Sequence, residues 1–265
     1  MDKNAPIGIF DSGVGGISVL GRVTRLMPKE NFIYYGDAAN FPYGDKSETE
    51  VKEAVFSAVK ELVKQGIKML VVACNTATAA AIGDLREIYD FPILGIEPAV
   101  KPAAENKNSG IIAVLATKLT LSEERVRRLI ADYGEGGHVR LLSAVGLADM
   151  VESGHYRDSC CRELLEKIFN GVKADTIVLG CTHYLFVLPL LREMYPDAAI
   201  IDGGEGLARN IVRTVALNDM ANENGKGEIM VLASSAAFKE KFPLFFAEIG
   251  SILDDQEHKL LQEPE

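Results

Sequence analysis

Short apolar runs alternate with amphipathic segments along this 265-residue chain, and that alternation leaves few folds open. Residues 7–10, 31–35, 67–73 and 92–96 read as strands. Between them, 18–27 reads as a helix stopped by Pro28, 49–65 as a helix with Val51, Val55, Val59, Leu62 and Val63 on one face, and 76–89 as a third helix. Gly66 ends the second helix, as a residue free to adopt positive φ does. After 97–108 the pattern restarts, with strands at 110–116, 139–143, 176–179 and 199–201. Helices read at 122–133, N-capped by Ser122, and at 160–171, 185–194 and 205–217. A late strand follows at 229–233. Strands that are apolar throughout and separated by helices predict parallel sheets covered on both faces. The expected class is α/β: two similar α/β domains with mainly parallel sheets and an active site in the cleft between them. Residues 1–96 plus 206–265 form the first domain and 97–205 the second. Residues 218–227 read as an exposed polar loop, and the charged tail from Asp254 as frayed.

Two of the strand ends rhyme. Residues 67–76 close on Ala73-Cys74-Asn75-Thr76, and 174–183 close on Gly180-Cys181-Thr182-His183. Each apolar run ends at a small residue, a cysteine and two hydrogen-bonding side chains. Open α/β sheets keep their chemistry at the carboxyl ends of strands, so each thiol is placed where a ligand binds. A helix starting just beyond each cysteine would favour thiolate and lower the thiol pKa. His183 is an acid–base partner or a substrate contact, and read alone it serves equally as a core histidine. Cys160 and Cys161 are neighbours on a helix and point apart, so they read as packing or surface residues. No Cys-x-x-Cys pair exists, and Cys181-x-His183 supplies only two ligands, so no metal site is expected.

Phe10-Asp11-Ser12-Gly13-Val14-Gly15-Gly16 follows the first strand and precedes a helix, where phosphate-cradling turns occur. Ser18 stands where a dinucleotide fingerprint has its third glycine, and no Gly-Lys-Ser/Thr ending exists. The nucleotide reading is therefore the weaker one, and an amide-lined anion site for a substrate carboxylate the stronger. Asp11 would accept a substrate ammonium or assist a thiol, with Ser12 beside it. Phe41-Pro42-Tyr43-Gly44 is a turn, read either as a surface loop or as a wall in which Tyr43 and the Gly44 amide face a ligand. Thr117 and Thr120 follow a strand in the second half as Asp11-Ser12 do in the first, so their hydroxyls would bind from the opposite side. Glu152, taken alone, reads as a solvated charge at a helix end.

A net charge of −10 argues against nucleic acid held on a basic surface, yet allows a small acidic substrate at a locally positive site. No apolar stretch approaches the roughly 18–20 residues of a membrane span. Four cysteines in a chain this long do not suggest a disulfide framework, and the first residues carry no signal pattern. The expected location is the cytoplasm.

Taken together, Phe10-Asp11-Ser12-Gly13-Val14-Gly15-Gly16, Pro42-Tyr43-Gly44, Ala73-Cys74-Asn75-Thr76-Ala77 and Gly180-Cys181-Thr182-His183-Tyr184 resemble the signature segments of bacterial glutamate racemases, in that family's order and at similar spacing. The resemblance runs from Pro6 to about Ala208. It implies cofactor-free and metal-free interconversion of L- and D-glutamate, supplying D-glutamate for peptidoglycan. It implies that Cys74 exchanges the α-proton on the D side and Cys181 on the L side, with Asp11, His183 and Glu152 assisting. Substrate would be held by Asp11, Ser12, Pro42, Tyr43, Gly44, Asn75, Thr76, Thr117, Thr120, Thr182 and His183. A homodimer is compatible with it. Two departures stand out: Leu185-Phe186 follows Tyr184 where the family commonly has proline, and 230–245 match loosely. Alternatives are an aspartate or other racemase of the superfamily, or a non-catalytic binding or inhibitory protein with a vestigial cleft.

Overall fold

A computed structural model describes residues 2–105, 110–122, 124, 127, 128, 131 and 138–260, the last four by backbone alone. The first sheet contains β1 (Ile7–Asp11), β2 (Phe32–Gly36), β3 (Met69–Val72) and β4 (Ile93–Gly95), joined by α1 (Ile17–Leu26), α2 (Glu48–Lys64) and α3 (Asn75–Ile88). Next come α4 (Val100–Glu105), β5 (Ile112–Ala116), α5 (Lys118–Ser122), β6 (Val139–Ser143), α6 (Leu147–Glu152), α7 (Ser159–Phe169) and β7 (Thr176–Leu179). A 3₁₀ turn at Thr182–Val187 leads into α8 (Leu188–Met194), then β8 (Ala199–Asp202) and α9 (Gly204–Leu217). The described chain closes with β9 (Ile229–Ala233) and α10 (Ala236–Leu260).

Every strand pairing among the described residues is parallel. One sheet has the order β4-β3-β1-β2-β9 and the other β6-β5-β7-β8. Read from its opposite edge, the second sheet is β8-β7-β5-β6, which repeats the β4-β3-β1-β2 order of the first. The rhyme between the two cysteine segments is thus a topological equivalence: β3 and β7 occupy the same place in their sheets, as do β1 and β5. The central strands β1, β3, β5 and β7 are buried along their full length, which is why they read as unbroken apolar runs.

Local signals place the elements. Ser47 accepts from the Glu50 amide while the Glu50 carboxylate accepts from the Ser47 amide, a capping box that starts α2. Gly66 ends its exit turn at φ +72°. At the amino end of β3, the Lys68 ammonium is fully buried and donates to Glu30 Oε2 (2.6 Å), Lys3 O (2.7 Å) and Met220 O (2.9 Å). All three of its donors are used.

Two expectations need correction and two need qualifying. The loop at 218–227 is mostly exposed, as expected, yet Met220 and Asn222 anchor it: both are buried, and the Asn222 amide donates to Glu30 Oε1 at 2.7 Å. The tail is helical to Leu260 rather than frayed from Asp254, and Asp254 pairs with Arg25 at 2.8 Å. α10 buries Phe238, Phe242, Phe245, Ile249, Ile252 and Leu253, with Phe238 and Phe242 against Tyr34 and Phe245 against Phe186. Ser122 is itself helical in α5 and donates to Leu119 O at 2.8 Å, and much of the helix it is expected to N-cap, at 122–133, lies outside the described residues. Finally, the helix expected from 185 begins only at Leu188, after the 3₁₀ turn and with Pro189 in its first turn.

Candidate active site

Both sheets reverse their winding beside the first strand, between β1 and β3 in one and between β5 and β7 in the other. Crevices form at the carboxyl ends of strands at such points. The loops leaving these four strands meet in one pocket of about 450 Å³, part of it open to solvent. Ser12, Pro42, Tyr43, Gly44, Cys74 and Thr76 line it from one side. Thr117, Cys181 and His183 line it from the other. Phe41, of the turn read as a wall, also lines it, and Asp45, Lys118, Ala144, Val145, Gly146, Ala148, Asp149 and Tyr184 complete the wall, although the sequence assigned those eight no role. Residues 144–149 follow the carboxyl end of β6, so the strand-end rule that located the cysteines also reaches them. Asp11, Asn75, Thr120, Thr182 and Glu152 do not line the pocket; Thr120 contacts Thr76, Thr182 contacts Asp11 and Glu152 contacts His183.

The two thiols are presented differently. Cys74 is the N-cap of α3 and only 5% exposed. Its Sγ accepts from the Ala77 amide at 3.5 Å and meets Ser12 Oγ at 3.6 Å. Burial, reinforced by the charge of Asp11, pushes its pKa up to about 12. This corrects the expected lowering: the helix terminus does donate to the sulfur, but desolvation outweighs it. Cys181 is partly exposed at the head of the 3₁₀ turn, with Sγ 3.8 Å from His183 Nδ1. On its other face His183 Nε2 is 3.0 Å from Glu152 Oε2. Burial acts to lower the His183 pKa, but the contacts with Cys181 and Glu152 and the charge of Asp11 prevail and raise it well above the usual value.

Two amides of the glycine loop serve the protein's own carboxylates. The Gly13 amide donates to Asp11 Oδ1 at 2.9 Å and the Val14 amide to Glu152 Oε2 at 2.9 Å. The glycines are there for space. A Cβ on Gly13 would lie 2.3 Å from Glu152 Oε2, and one on Gly15 would lie 2.4 Å from both His183 Nδ1 and Thr182 Oγ1. Glu152 is therefore no solvated helix-end charge: its side chain is 14% exposed and joins the first-sheet loop to His183. Asp11 is fully buried, and its second oxygen accepts from Thr182 Oγ1 at 3.0 Å. Burial raises its pKa against the opposing pull of charged His183.

Tyr43 does not offer its hydroxyl to the pocket, since that group donates to buried Asp37 at 2.6 Å. Asn40 Nδ2 donates to the same carboxylate at 3.0 Å and 3.1 Å, so Asp37 anchors the wall loop. Thr76 Oγ1 lies 3.1 Å from both Thr117 Oγ1 and Thr120 Oγ1, and Thr117 donates to Thr120 at 2.9 Å. Asn75 is the exception. Both polar atoms of its buried amide lack a partner, alone among the described residues. An unpaired buried amide costs about 1–3 kcal/mol unless a ligand satisfies it. Among the described residues no group of three or more His, Cys, Asp or Glu could hold a metal ion.

With this geometry the chain belongs to the Asp/Glu/Hydantoin racemase family, whose family model matches residues 17–211. A glutamate racemase of Clostridium botulinum is 46% identical over 88% of this chain and 92% of that protein. The Escherichia coli glutamate racemase, solved in complex with L-glutamate and the activator UDP-MurNAc-Ala, aligns with a TM-score of 0.81 at 30% identity, over 92% of this chain and 95% of that one. The Thermus thermophilus glutamate racemase, in complex with β-chloro-D-alanine, aligns with a TM-score of 0.78 at 30% identity, over 94% of each chain.

Two outcomes are expected. Gly15→Ala wedges the loop from Thr182 and His183 and lowers racemase activity by at least about 100-fold, as misplacement by an ångström does. Gly83→Ala, in α3 with nothing near its Cβ position, leaves activity unchanged. Activity assays on both variants decide this, and a fully active Gly15→Ala would contradict the packing argument. The second outcome concerns pH. A thiol that titrates at 9.0 when unfolded and near 12 when folded adds stability that is complete below pH 9 and is lost as pH rises through about 9 to 12. Cys74→Ser removes that titration, so urea midpoints measured across this window fall less steeply in the variant than in the parent.

Proposed function

We propose that this protein interconverts L- and D-glutamate by a two-base mechanism that needs neither cofactor nor metal. The observation that carries the reading is that Cys74 and Cys181 line one pocket from equivalent strand ends of two sheets. Racemisation removes a weakly acidic α-proton from one face of a carbon and returns a proton to the other. That requires a base and an acid on opposite sides. Burial keeps Cys74 as a thiol, and the Cys181 sulfur lies 3.8 Å from His183, whose protonated form its neighbours favour. From L-glutamate, Cys181 as thiolate takes the α-proton and the Cys74 thiol delivers its own to the far face. In the return direction the thiols exchange roles. The positive charge of the substrate's ammonium beside Cys74 favours its thiolate there.

Asp11, His183 and Glu152 would form the charged network behind the thiols. The unpaired Asn75 amide and the Thr76, Thr117 and Thr120 hydroxyls suit a carboxylate, as do Ser12, Thr182 and the wall formed by Pro42, Tyr43 and Gly44. Fixed donors aimed at a carboxylate that gains charge as the α-carbon loses its proton provide electrostatic stabilisation. We assign residues 1–96 plus 206–265 to one domain and 97–205 to the other, supported by β9 joining the first sheet. The glutamate racemase relatives support glutamate as substrate; D-glutamate supply for peptidoglycan and a cytoplasmic setting are part of the same proposal. No helix among the described residues is long and apolar enough to cross a membrane. Whether the enzyme acts as a homodimer is answered by its mass in solution.

The test is incubation with L-glutamate in deuterated water without added cofactor, beside a parallel reaction on L-aspartate. The proposal predicts D-glutamate carrying deuterium at the α-carbon and little change in aspartate. Cys74→Ala and Cys181→Ala each abolish this conversion while circular dichroism stays native. Full turnover by either variant would refute the two-base assignment.

A further inference from the structure

Outside the pocket, one buried charge pair ties the two sheets together. Arg22 of α1 donates from Nη1 to Asp202 Oδ1 at 3.1 Å and from Nη2 to Asp202 Oδ2 at 2.7 Å. The side chains are only 10% and 14% exposed. Asp202 ends β8, where it sits in register with Leu179 of β7, two residues before Cys181. α1 begins where the glycine loop ends, and that loop carries Ser12, which touches Cys74. The pair thus closes a short mechanical circuit from one thiol to the other, through Ser12, the loop, α1, Arg22, Asp202, β8 and β7. The surroundings are built for it. The Gly204 amide donates to Asp202 Oδ1 at 2.6 Å, and a Cβ on Gly204 would lie 2.3 Å from Arg22 Nη1. A Cβ on Gly203 would lie 2.0 Å from Glu97 O, so the chain leaving β4 and the chain leaving β8 pass backbone to backbone beside the pair.

We propose that Arg22 is a positioning residue for racemisation, and that its bidentate grip on Asp202 fixes the separation of the Cys74 and Cys181 turns. The inference rests on the two-thiol reading above. A planar guanidinium gripping both carboxylate oxygens sets angle as well as distance, which an ammonium does not. Racemisation needs both sulfurs in reach of one carbon at the same time, whereas a reaction using one thiol tolerates a change in their separation.

That contrast supplies the test. Racemisation of glutamate is compared with elimination from β-chloroglutamate. In the elimination one thiolate takes the α-proton, the C–H electron pair forms the double bond, and chloride leaves. The resulting enamine hydrolyses to an oxo acid and ammonium. Arg22→Gln is expected to lower kcat for racemisation by at least about tenfold and kcat for elimination by less than about threefold. Arg22→Lys falls between the variant and the parent. Gly204→Ala, whose Cβ would crowd both the guanidinium and the Asp202 carboxylate, shows the same split. Equal losses in both reactions, or unchanged racemisation, would overturn the proposal. If Arg22→Gln does not fold, Arg22→Lys and Gly204→Ala decide by the same split. Failure of the parent protein to racemise glutamate is a separate result and refutes the two-thiol reading itself.

Discussion

Bare backbone against side chain is the contact on which this site depends. Gly13 and Gly15 present no Cβ, so Glu152, Thr182 and His183 come within bonding range of the loop that leaves β1. The Val14 amide then holds the Glu152 carboxylate, which holds His183, which lies beside Cys181. Asp11 and Thr182 repeat the connection at 3.0 Å. A methyl group on the loop would separate these residues, and the pocket would lose one wall relative to the other. The close-packed interior transmits such a displacement rather than absorbing it.

The same contact concentrates charge where water is scarce. Asp11 and His183 are buried, Glu152 nearly so, and the Cys74 sulfur meets Ser12, which follows Asp11 in the chain. Desolvation raises Asp11 and Cys74, and hydrogen bonds together with neighbouring negative charge raise His183. Burial thus favours the protonated forms of Asp11 and Cys74, while hydrogen bonds and neighbouring charge favour the protonated form of His183. The two thiols share a topology but not their surroundings: Cys74 is buried beside Ser12, and Cys181 is partly exposed beside His183. Asn75 adds to this picture, because an amide left unpaired beside a catalytic-type cysteine is costly without a ligand and useful with one.

Much of the fold was legible because it rests on local periodicity. Unbroken apolar runs identified β1, β3, β5 and β7, and their sequence rhyme proved to be one topology used twice. The lining residues Ser12, Tyr43, Cys74, Thr117, Cys181 and His183 were legible too, since each follows a strand or sits in a marked turn. What was not legible depends on contacts distant in sequence. The spacing of Phe238, Phe242, Phe245 and Ile249 does carry a helical period, but Pro243 interrupts its reading and the partners Tyr34 and Phe186 lie far away. The glycines of the loop looked like a ligand cradle because a missing Cβ does not announce what fills its place. The direction of the Cys74 shift was misread for a similar reason, as a helix N-terminus is visible in sequence and burial is not. Arg22 and Asp202 are 180 positions apart and gave no signal at all.

The decisive measurement is a crystal structure of the protein with glutamate bound. The account predicts the α-carbon between the two sulfurs, with Cys74 Sγ on one face and Cys181 Sγ on the other, each within about 4 Å. A ligand that reaches only one sulfur, or both from the same face, would contradict it.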